Sequence, residues 1–337
     1  MADKMHGFGL GVISENAKGA ILDVFYPTPL GDVTGPLSDA LSGVCGRLDR
    51  SDLKTLANNA RSAGDEALAA LSDRLSESPT SVVASSLAAN VAPVSVEDAY
   101  LKLHMLSHRL VKPHGTDLTG VFGLLPNVAW TDEGPIDLSE LAERQLSARL
   151  KGKVLEVASV DKFPKMTNYV VPEGVRIAHS ARVRLGAYLG AGTTVMHEGF
   201  INFNAGTAGP GMVEGRISAG VMVGKGSDLG GGCSTMGTLS GGGNMIISVG
   251  EECLIGANAG LGIPLGDRCT VEAGLFITAG TKVTVLDDAK QAVETTAARY
   301  LAGRSDLLFR RNSQLGSVEC LTNKTAIELN ESLHAHN

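Results

Sequence analysis

Between Val175 and Val285 a small or aliphatic side chain recurs at every sixth residue. Ile177, Val183, Leu189, Val195 and Ile201 form one grid. Ile217, Val223, Leu229, Ile247, Cys253, Ala259, Leu265, Val271, Ile277 and Val283 form a second, in which only Thr235 and Gly241 depart from that character. A period of six matches neither the 3.6 of a helix nor the 2 of a simple strand. It is the hexapeptide pattern of a parallel β-helix, in which three short flat faces make one coil and one residue per hexad points inward. Of the 42 glycines, 26 lie between Gly174 and Gly280, where corners need positive φ or close backbone approach. The alternative is a Gly-rich all-β domain with accidental periodicity. The two grids differ in phase, because Ile201 and Ile217 are sixteen residues apart. The chain is therefore expected to leave its coil once, projecting a loop at Gly211-Met212-Val213-Glu214-Gly215-Arg216.

The 337 residues suffice for two domains. A formal net charge of -7 counts against nucleic acid as a partner, since neutralising phosphates takes a concentrated basic surface. Cys45, Cys233, Cys253, Cys269 and Cys320 form no CxxC pair and are odd in number, which argues against a disulfide framework and for a reducing, cytoplasmic setting. No apolar run is long enough to span a membrane, and the N-terminus lacks the apolar core of a signal peptide.

Residues 1–112 read as an α/β domain. Phe8 to Ser14 and Gly19 to Tyr26 are strand-like, and Ser51 to Glu77 carries Leu53, Leu56, Ala60, Ala67, Leu68 and Leu71 at helical spacing. Ser95-Val96-Glu97-Asp98 has the form of a capping box opening a further helix, and the Ser/Ala-rich stretch from Ser78 to Pro93 reads as a loop. Residues 113–172 read as a connector with one amphipathic helix, Asp137 to Lys151, before a strand from Val154 to Val160. The β-helix follows over 173–286. A terminal cap over 287–337 is expected because a β-helix otherwise presents an open end to solvent. Within that cap, Asp287 to Tyr300 reads as helical or irregular and 307–313 with 316–321 as two closing strands.

Glu214 is the first candidate for chemistry, with Arg216 two positions on. A carboxylate against an apolar β-helix wall could accept a proton from an amine or attack a thioester itself; a solvated glutamate paired with Arg216 is the plain alternative. Gly224 to Gly243 contains Gly230-Gly231-Gly232-Cys233-Ser234 and Gly241-Gly242-Gly243. Such backbone can approach a ligand closely, yet it matches no nucleotide-loop spacing and could be corner glycine only. Cys233 has no sequence-adjacent histidine to activate it and reads as a small buried residue. Arg310 and Arg311 would suit a phosphate-rich ligand, or could be a solvated pair on a β-edge. His179 and His197, eighteen residues apart, should stack one coil above the other, but no third histidine follows within the repeat to complete a zinc site.

The segments MHEGFINFNAGT, MVEGRISAGVMVGKGSDLGGGCSTMGTLSGGG, CLIGANAG, TVEAGLFITAGTKV and LLFRRNS closely resemble tetrahydrodipicolinate N-succinyltransferases of the long form found in pseudomonads and actinobacteria. LKLHMLSHRLVKPHG, LLPNVAW, VDKFPKM and NKTAIELNE extend the resemblance over most of the chain. It implies a mixed α/β N-terminal domain, a left-handed parallel β-helix, and a cytoplasmic homotrimer with sites between subunits. It also implies succinyl transfer from succinyl-CoA to a small-molecule dicarboxylate amine, 2-amino-6-oxopimelate, in the diaminopimelate branch of lysine biosynthesis. Glu214 matches the family's catalytic glutamate, held there to form an acyl-anhydride, with a general-base role chemically open. Succinyl-CoA contacts carried over are Arg216, Gly231, Ser234, Ala257, Glu272, Ala273, Gly280, Arg310, Arg311, Asn312 and Ser313. A CoA-contacting lysine of some relatives is Ala297 here, so that contact is either lost or supplied by Arg299 or Lys290. A magnesium site on the trimer axis of some relatives keeps its glutamate as Glu198 but has Ala181 at the aspartate position, which counts against bound magnesium. Rival readings are another CoA-dependent N-acyltransferase, a β-helical metal-dependent hydratase and a non-enzymatic trimeric scaffold.

Overall fold

The computed structural model describes residues 4–237 and 245–322; Gly241 to Gly243 and the NKTAIELNE segment lie outside the described residues. The chain divides into two units. Met1–Val111, Gly115–Pro164 and Asn168–Val170 form the first, and Lys112–His114, Lys165–Thr167 and Val171–Asn337 the second. Most of the stretch expected to be a connector therefore belongs to the first unit.

The first unit is built around the strand Met5–Glu15, which pairs with Ile21–Phe25, Leu30–Val33 and Val82–Leu87 in an antiparallel sheet closed by Gly46–Leu48. Its sequence assigns the two faces. Phe8 and Leu10 point to one side and join Leu53, Leu56, Ala60 and Leu68 in the core. On the other side a Cβ on Gly9 would lie 2.6 Å from the Tyr26 ring and 2.8 Å from the Leu101 side chain, so glycine is what allows the helix Val96–Ser107 to seat against the sheet.

Three expectations change here. The helix expected over Ser51 to Glu77 is two helices, Arg50–Ser62 and Glu66–Leu75, because Gly64 at φ +87° turns the chain and Asp65 caps the second by accepting the Leu68 N–H at 2.9 Å. The stretch Ser78 to Pro93 holds an inner strand of the sheet, Val82–Leu87, whose small residues Ala84, Ser85 and Ser86 disguised it as a loop. Ser85 is buried and meets the Tyr26 hydroxyl at 2.8 Å. At Ser95 the hydroxyl caps the helix by accepting the Asp98 N–H, while the Asp98 carboxylate accepts from Val94 N–H. Further on, Val128–Thr131, Gly134–Asp137 and Val157–Asp161 form a three-stranded sheet beside the helix Leu138–Leu150, with Ala129, Ile136 and Leu155 between them.

His104 lies fully buried in this unit, its Nε2 accepting the Tyr26 N–H at 3.2 Å and its Nδ1 donating to Tyr100 O at 2.8 Å. Burial pushes its pKa down to about 3. The unfolded chain therefore binds a proton that the folded chain refuses between the ordinary histidine value and about 3. Stability contributed by the neutral imidazole is full above pH ~6.5 and falls as acid is added, by at most about 1.4 kcal/mol per pH unit. Chemical denaturation from pH 7 to pH 4 should show this slope, flattened in His104→Gln; an unchanged slope in that variant assigns the acid sensitivity to other groups.

The second unit is a parallel β-helix of three ladders, and the register shows how the hexad pattern is interrupted. Val195 pairs with Val213 and Ile217 with Thr235, each step being eighteen residues, or three hexads. Ile201 to Ile217, Thr207 to Val223 and Val213 to Leu229 are steps of sixteen. The only interval common to those three steps and absent from the first two is Val213 to Ile217, so the missing two residues belong there. The chain does not leave the coil at Glu214, as expected from the grid; it takes a corner two residues tighter than the others. Nor is this the only break. Val223 to Val249, Leu229 to Ile255 and Thr235 to Leu261 are steps of twenty-six, eight more than eighteen, which places an insertion between Thr235 and Val249. Ile255 to Val271 and Leu261 to Ile277 return to sixteen, and Leu265 N–H bonds Ser248 O, so a second tight corner lies between Leu261 and Leu265. Eight added and two removed make one hexad, so the grid before and after coincides. Ile247, Cys253 and Ala259 stayed on that grid because residues two before the inward Val249, Ile255 and Leu261 are buried as well.

The cap differs from expectation in one element. Ala292–Ala297 is a strand, antiparallel to Lys282–Leu286, where helix or irregular chain was expected. Its β-branched Val293, Thr295 and Thr296 suit a strand better than a helix. Leu307–Arg311 and Val318–Thr322 pair as the expected closing strands, and Phe309 stacks in register on Val271 to continue the coil wall.

Candidate active site

The tight corner positions Glu214. Its N–H bonds Leu229 O at 2.8 Å and its carbonyl accepts from Gly232 N–H at 3.4 Å, so the backbone belongs to the coil while the half-buried side chain stands outward. The carboxylate Oε2 lies 3.6 Å from where a Cβ on Gly231 would be. Gly215 closes the corner against Cys233: a Cβ there would come 2.3 Å from the thiol sulfur and 2.6 Å from Cys233 O. Cys233 is buried, and burial together with the Glu214 charge pushes its thiol up to about 12. It packs the corner, as its sequence context suggested, and is no nucleophile near neutral pH.

Arg216 leaves Glu214 alone. Its Nε and a terminal guanidinium nitrogen both donate to Ser234 Oγ, at 3.1 and 2.7 Å, and among the described residues Glu214 has no ion pair. The paired-surface reading of Glu214 is therefore not what the structure shows. Phe200, Arg216, Ser234, Gly260 and Phe276 follow one another in register along one outward file. An open cleft of about 420 Å³ is lined by Arg182, Glu198, Phe200, Gly215, Arg216 and Ser234, among others.

The remaining candidate residues fall into three groups. Asn258 N–H bonds Gly231 O and Gly274 N–H bonds Ala257 O, so the corners bearing Glu214, Gly231, Ala257 and then Glu272 with Ala273 stack in one file. Arg311 joins its end, its N–H donating to Glu272 Oε2 at 2.6 Å. Gly280 lies at the corner after Phe276–Thr278, where Arg299 Nε bonds Ala279 O at 3.2 Å, which puts Arg299 rather than Lys290 beside Gly280. Arg310, read above with Arg311 as a phosphate-facing or solvated pair, is instead engaged within the protein, and so is Asn312. Arg310 donates to Glu319 Oε2 from Nε at 3.0 Å and from a terminal nitrogen at 2.9 Å, and Asn312 donates to Glu319 Oε1 at 2.7 Å. These contacts hold the Glu319 carboxyl below its usual range and tie the closing hairpin, leaving Arg311 and Ser313 exposed at its edge. Glu319 was not found in the sequence because its partnership depends on the hairpin register that sets Arg310 opposite it.

His179 and His197 do stack, edge to face with ring centroids 5.2 Å apart. His197 Nδ1 lies 2.7 Å from Glu198 Oε1, and Arg182 donates to Glu198 Oε2 at 2.8 Å. Within one protomer both oxygens of Glu198 are engaged, and Ala181 offers no ligand atom at the aspartate position. Arg182 was not singled out in the sequence, although its neighbour Ala181 marked the position.

The chain matches two family models, "Tetrahydrodipicolinate N-succinyltransferase middle" over residues 125–165 and "Hexapeptide repeat of succinyl-transferase" over 246–279. It is 63% identical over 344 aligned residues to the 2,3,4,5-tetrahydropyridine-2,6-dicarboxylate N-succinyltransferase of Pseudomonas paraeruginosa, covering 100% of both chains. The chain belongs to the tetrahydrodipicolinate N-succinyltransferase family. The Vibrio cholerae member is 58% identical, with 98% of each chain covered. A Campylobacter jejuni protein assigned as a 2,3,4,5-tetrahydropyridine-2-carboxylate N-succinyltransferase has a solved structure that matches at a TM-score of 0.86 and 33% identity, covering 96% of this chain and 94% of that one. The first model covers the three-stranded sheet and helix of the first unit, and the second covers coils that include the tight corner at Leu261 to Leu265.

Proposed function

We propose that this chain is an acyltransferase that moves a succinyl group from succinyl-CoA to the amine of L-2-amino-6-oxopimelate, the open form of tetrahydrodipicolinate. The products are N-succinyl-2-amino-6-oxopimelate and CoA, in the diaminopimelate branch of lysine biosynthesis. The full-length identity of 63% to a 2,3,4,5-tetrahydropyridine-2,6-dicarboxylate N-succinyltransferase carries this reading. A left-handed coil, a homotrimer with sites between neighbouring β-helices, and a cytoplasmic location complete the proposal; among the described residues no helix is long and apolar enough to cross a membrane.

In this reading the donor lies along the stacked corners Gly231, Ala257 and Ala273, with the thioester at Glu214. Their small side chains leave the wall low enough for a pantetheine arm. Arg216, steadied by Ser234, holds a carboxylate of the succinyl group or the acceptor. Glu214 takes the proton of the attacking amine as the C–N bond forms and the C–S bond breaks, and the thiolate leaves as CoA. Alternatively its own oxygen attacks the thioester, releases CoA, and passes the acyl group from the anhydride to the amine. Arg311 and Ser313, exposed at the closing hairpin, would meet the nucleotide end of CoA in this reading, whereas Arg310 and Asn312 shape that hairpin through Glu319.

Thiol release should require both succinyl-CoA and an amine acceptor such as 2-aminopimelate, and acetyl-CoA should support at least about tenfold less. Equal rates with acetyl-CoA would point to a different N-acyltransferase on the same scaffold, and no release with either donor would reject the enzyme class.

A further inference from the structure

The inward side chains Ile201, Ile217 and Leu261 belong to one stack in register along the coil, and a threonine, Thr235, stands between the last two. Thr235 is fully buried by its own chain. A hydroxyl in such a place costs free energy unless it is hydrogen-bonded, whereas a valine of the same shape has no such requirement. Thr193 and Thr207, also buried in the coil, use their hydroxyls within their own turns, on Gly190 O at 2.7 Å and Gly209 N–H at 3.0 Å. Thr235 instead reaches the preceding coil. Its hydroxyl donates to Arg216 O at 3.0 Å and accepts the Ser218 N–H at 3.1 Å, so it holds the chain on both sides of Ile217.

The coils before and after show what the hydroxyl replaces. Asn202 N–H bonds Ile217 O at 3.1 Å and Met236 N–H bonds Leu261 O at 2.8 Å, both backbone to backbone. Ser218 N–H holds the equivalent place between them, and its acceptor is a side chain. The strand before it, Arg216–Ile217, is two residues long and follows the tight corner that carries Glu214. Ser234, next to Thr235 on the same strand, takes Arg216 Nε and a terminal guanidinium nitrogen at 3.1 and 2.7 Å. Successive side chains of a strand point to opposite faces, so the pair grips one arginine twice. Ser234 holds its guanidinium outside the coil, and Thr235 holds its carbonyl inside.

We propose that Thr235 is a positioning residue for substrate binding, acting through Arg216. Fixing the carbonyl of residue 216 fixes where its side chain leaves the wall, and so where its forked donors meet a carboxylate. The role rests on the proposed succinyl transfer, in which Arg216 holds a carboxylate of the succinyl group or of the acceptor.

The test uses the full chain, with succinyl-CoA and 2-aminopimelate as substrates. Thr235→Val removes the hydroxyl and keeps the shape; Arg216→Lys keeps the charge and loses the fork. Arg216→Lys should raise KM for one of the two substrates by at least about tenfold. Thr235→Val should raise the same KM by at least about threefold, with kcat within about twofold of the natural protein. The double variant should be no worse than Arg216→Lys alone, the non-additivity expected when one residue acts through the other. Thr235→Ser keeps the hydroxyl and should hold KM within about twofold of the natural value. If Thr235→Val does not fold, Thr235→Ala against Thr235→Ser makes the same comparison, because these two differ by the hydroxyl alone. A raised KM in Arg216→Lys beside an unchanged KM in folded Thr235→Val overturns the positioning role and leaves the role of Arg216 intact. So does a double variant in which the two losses multiply, or an equal KM in Thr235→Val and Thr235→Ser. Unchanged KM values in Arg216→Lys, or no turnover by the natural chain, remove the proposed role of Arg216 and that of Thr235 with it.

Discussion

Glu214→Ala is expected to lower kcat by at least about a hundredfold, the usual cost of removing a group that moves a proton or acyl carbon in the chemical step. The fold should survive, because the coil is held through the backbone N–H and C=O of residue 214 and the side chain is only half buried. Equal far-ultraviolet spectra and a Tm within about 2 °C of the natural protein would establish that the loss is chemical. Two further measurements divide the mechanism. Hydroxylamine that attacks the Glu214 carbonyl of an anhydride during turnover should leave a hydroxamate on Glu214, detectable by mass, a modification that a general base cannot produce. A Glu214→Ala enzyme with near-normal turnover would remove this residue from the chemistry altogether.

Gly215→Val should have the largest effect on structure. A Cβ at 215 would meet the buried Cys233 sulfur at 2.3 Å, Cys233 O at 2.6 Å and Gly230 O at 3.0 Å, and two of those three atoms are backbone of the next coil. Overpacking of this kind costs about 1–3 kcal/mol, equivalent to a fall in Tm of roughly 2–12 °C for a unit of this size. The corner would relax by moving Glu214 relative to Gly231, so kcat should fall as well. Gly215→Ala combined with Cys233→Ala removes the sulfur but leaves the two carbonyls in the way. That pair should recover only part of the loss of Gly215→Ala, a non-additivity expected of residues in contact. If Gly215→Val melts within about 1 °C of the natural protein, the corner is not packed as tightly as these distances require.

Periodicity told a great deal about this chain, and it misled in one instructive way. The inward hexads are legible because a β-helix repeats one local environment, so each coil needs the same small or aliphatic residue in the same place. The interruptions were harder to read. A tight corner and an insertion change the grid by amounts that can cancel, and residues two apart on a coil are both buried, so Ile247, Cys253 and Ala259 kept the grid alive across a shifted segment. Only strand pairing, which compares one coil with the next, separates steps of sixteen, eighteen and twenty-six. The same limit hid the strand Val82–Leu87: Ser85 and Ser86 look like loop residues until Tyr26 is seen to occupy the buried hydroxyl of Ser85.

At the site, Glu214 and Arg216 could be picked out from sequence because they sit where the pattern breaks. Their relationship could not. Two residues apart, they could have paired with each other, and it is the stacking of Ser234 one coil on that draws Arg216 away. Glu319 with Arg310, and Arg182 with Glu198, were invisible for the same reason, since each pair is made by register between strands or coils.

By itself, then, the sequence determined that the chain forms a β-helix with a cap, which family it resembles, and which glutamate interrupts the repeat. Tertiary structure decided that the interruption is a tightened corner rather than a loop, and which charges are spoken for. The physical reason is one of range: hexad composition reports burial within a coil, whereas corner length and charge pairing depend on the neighbouring coil, which no local spacing encodes.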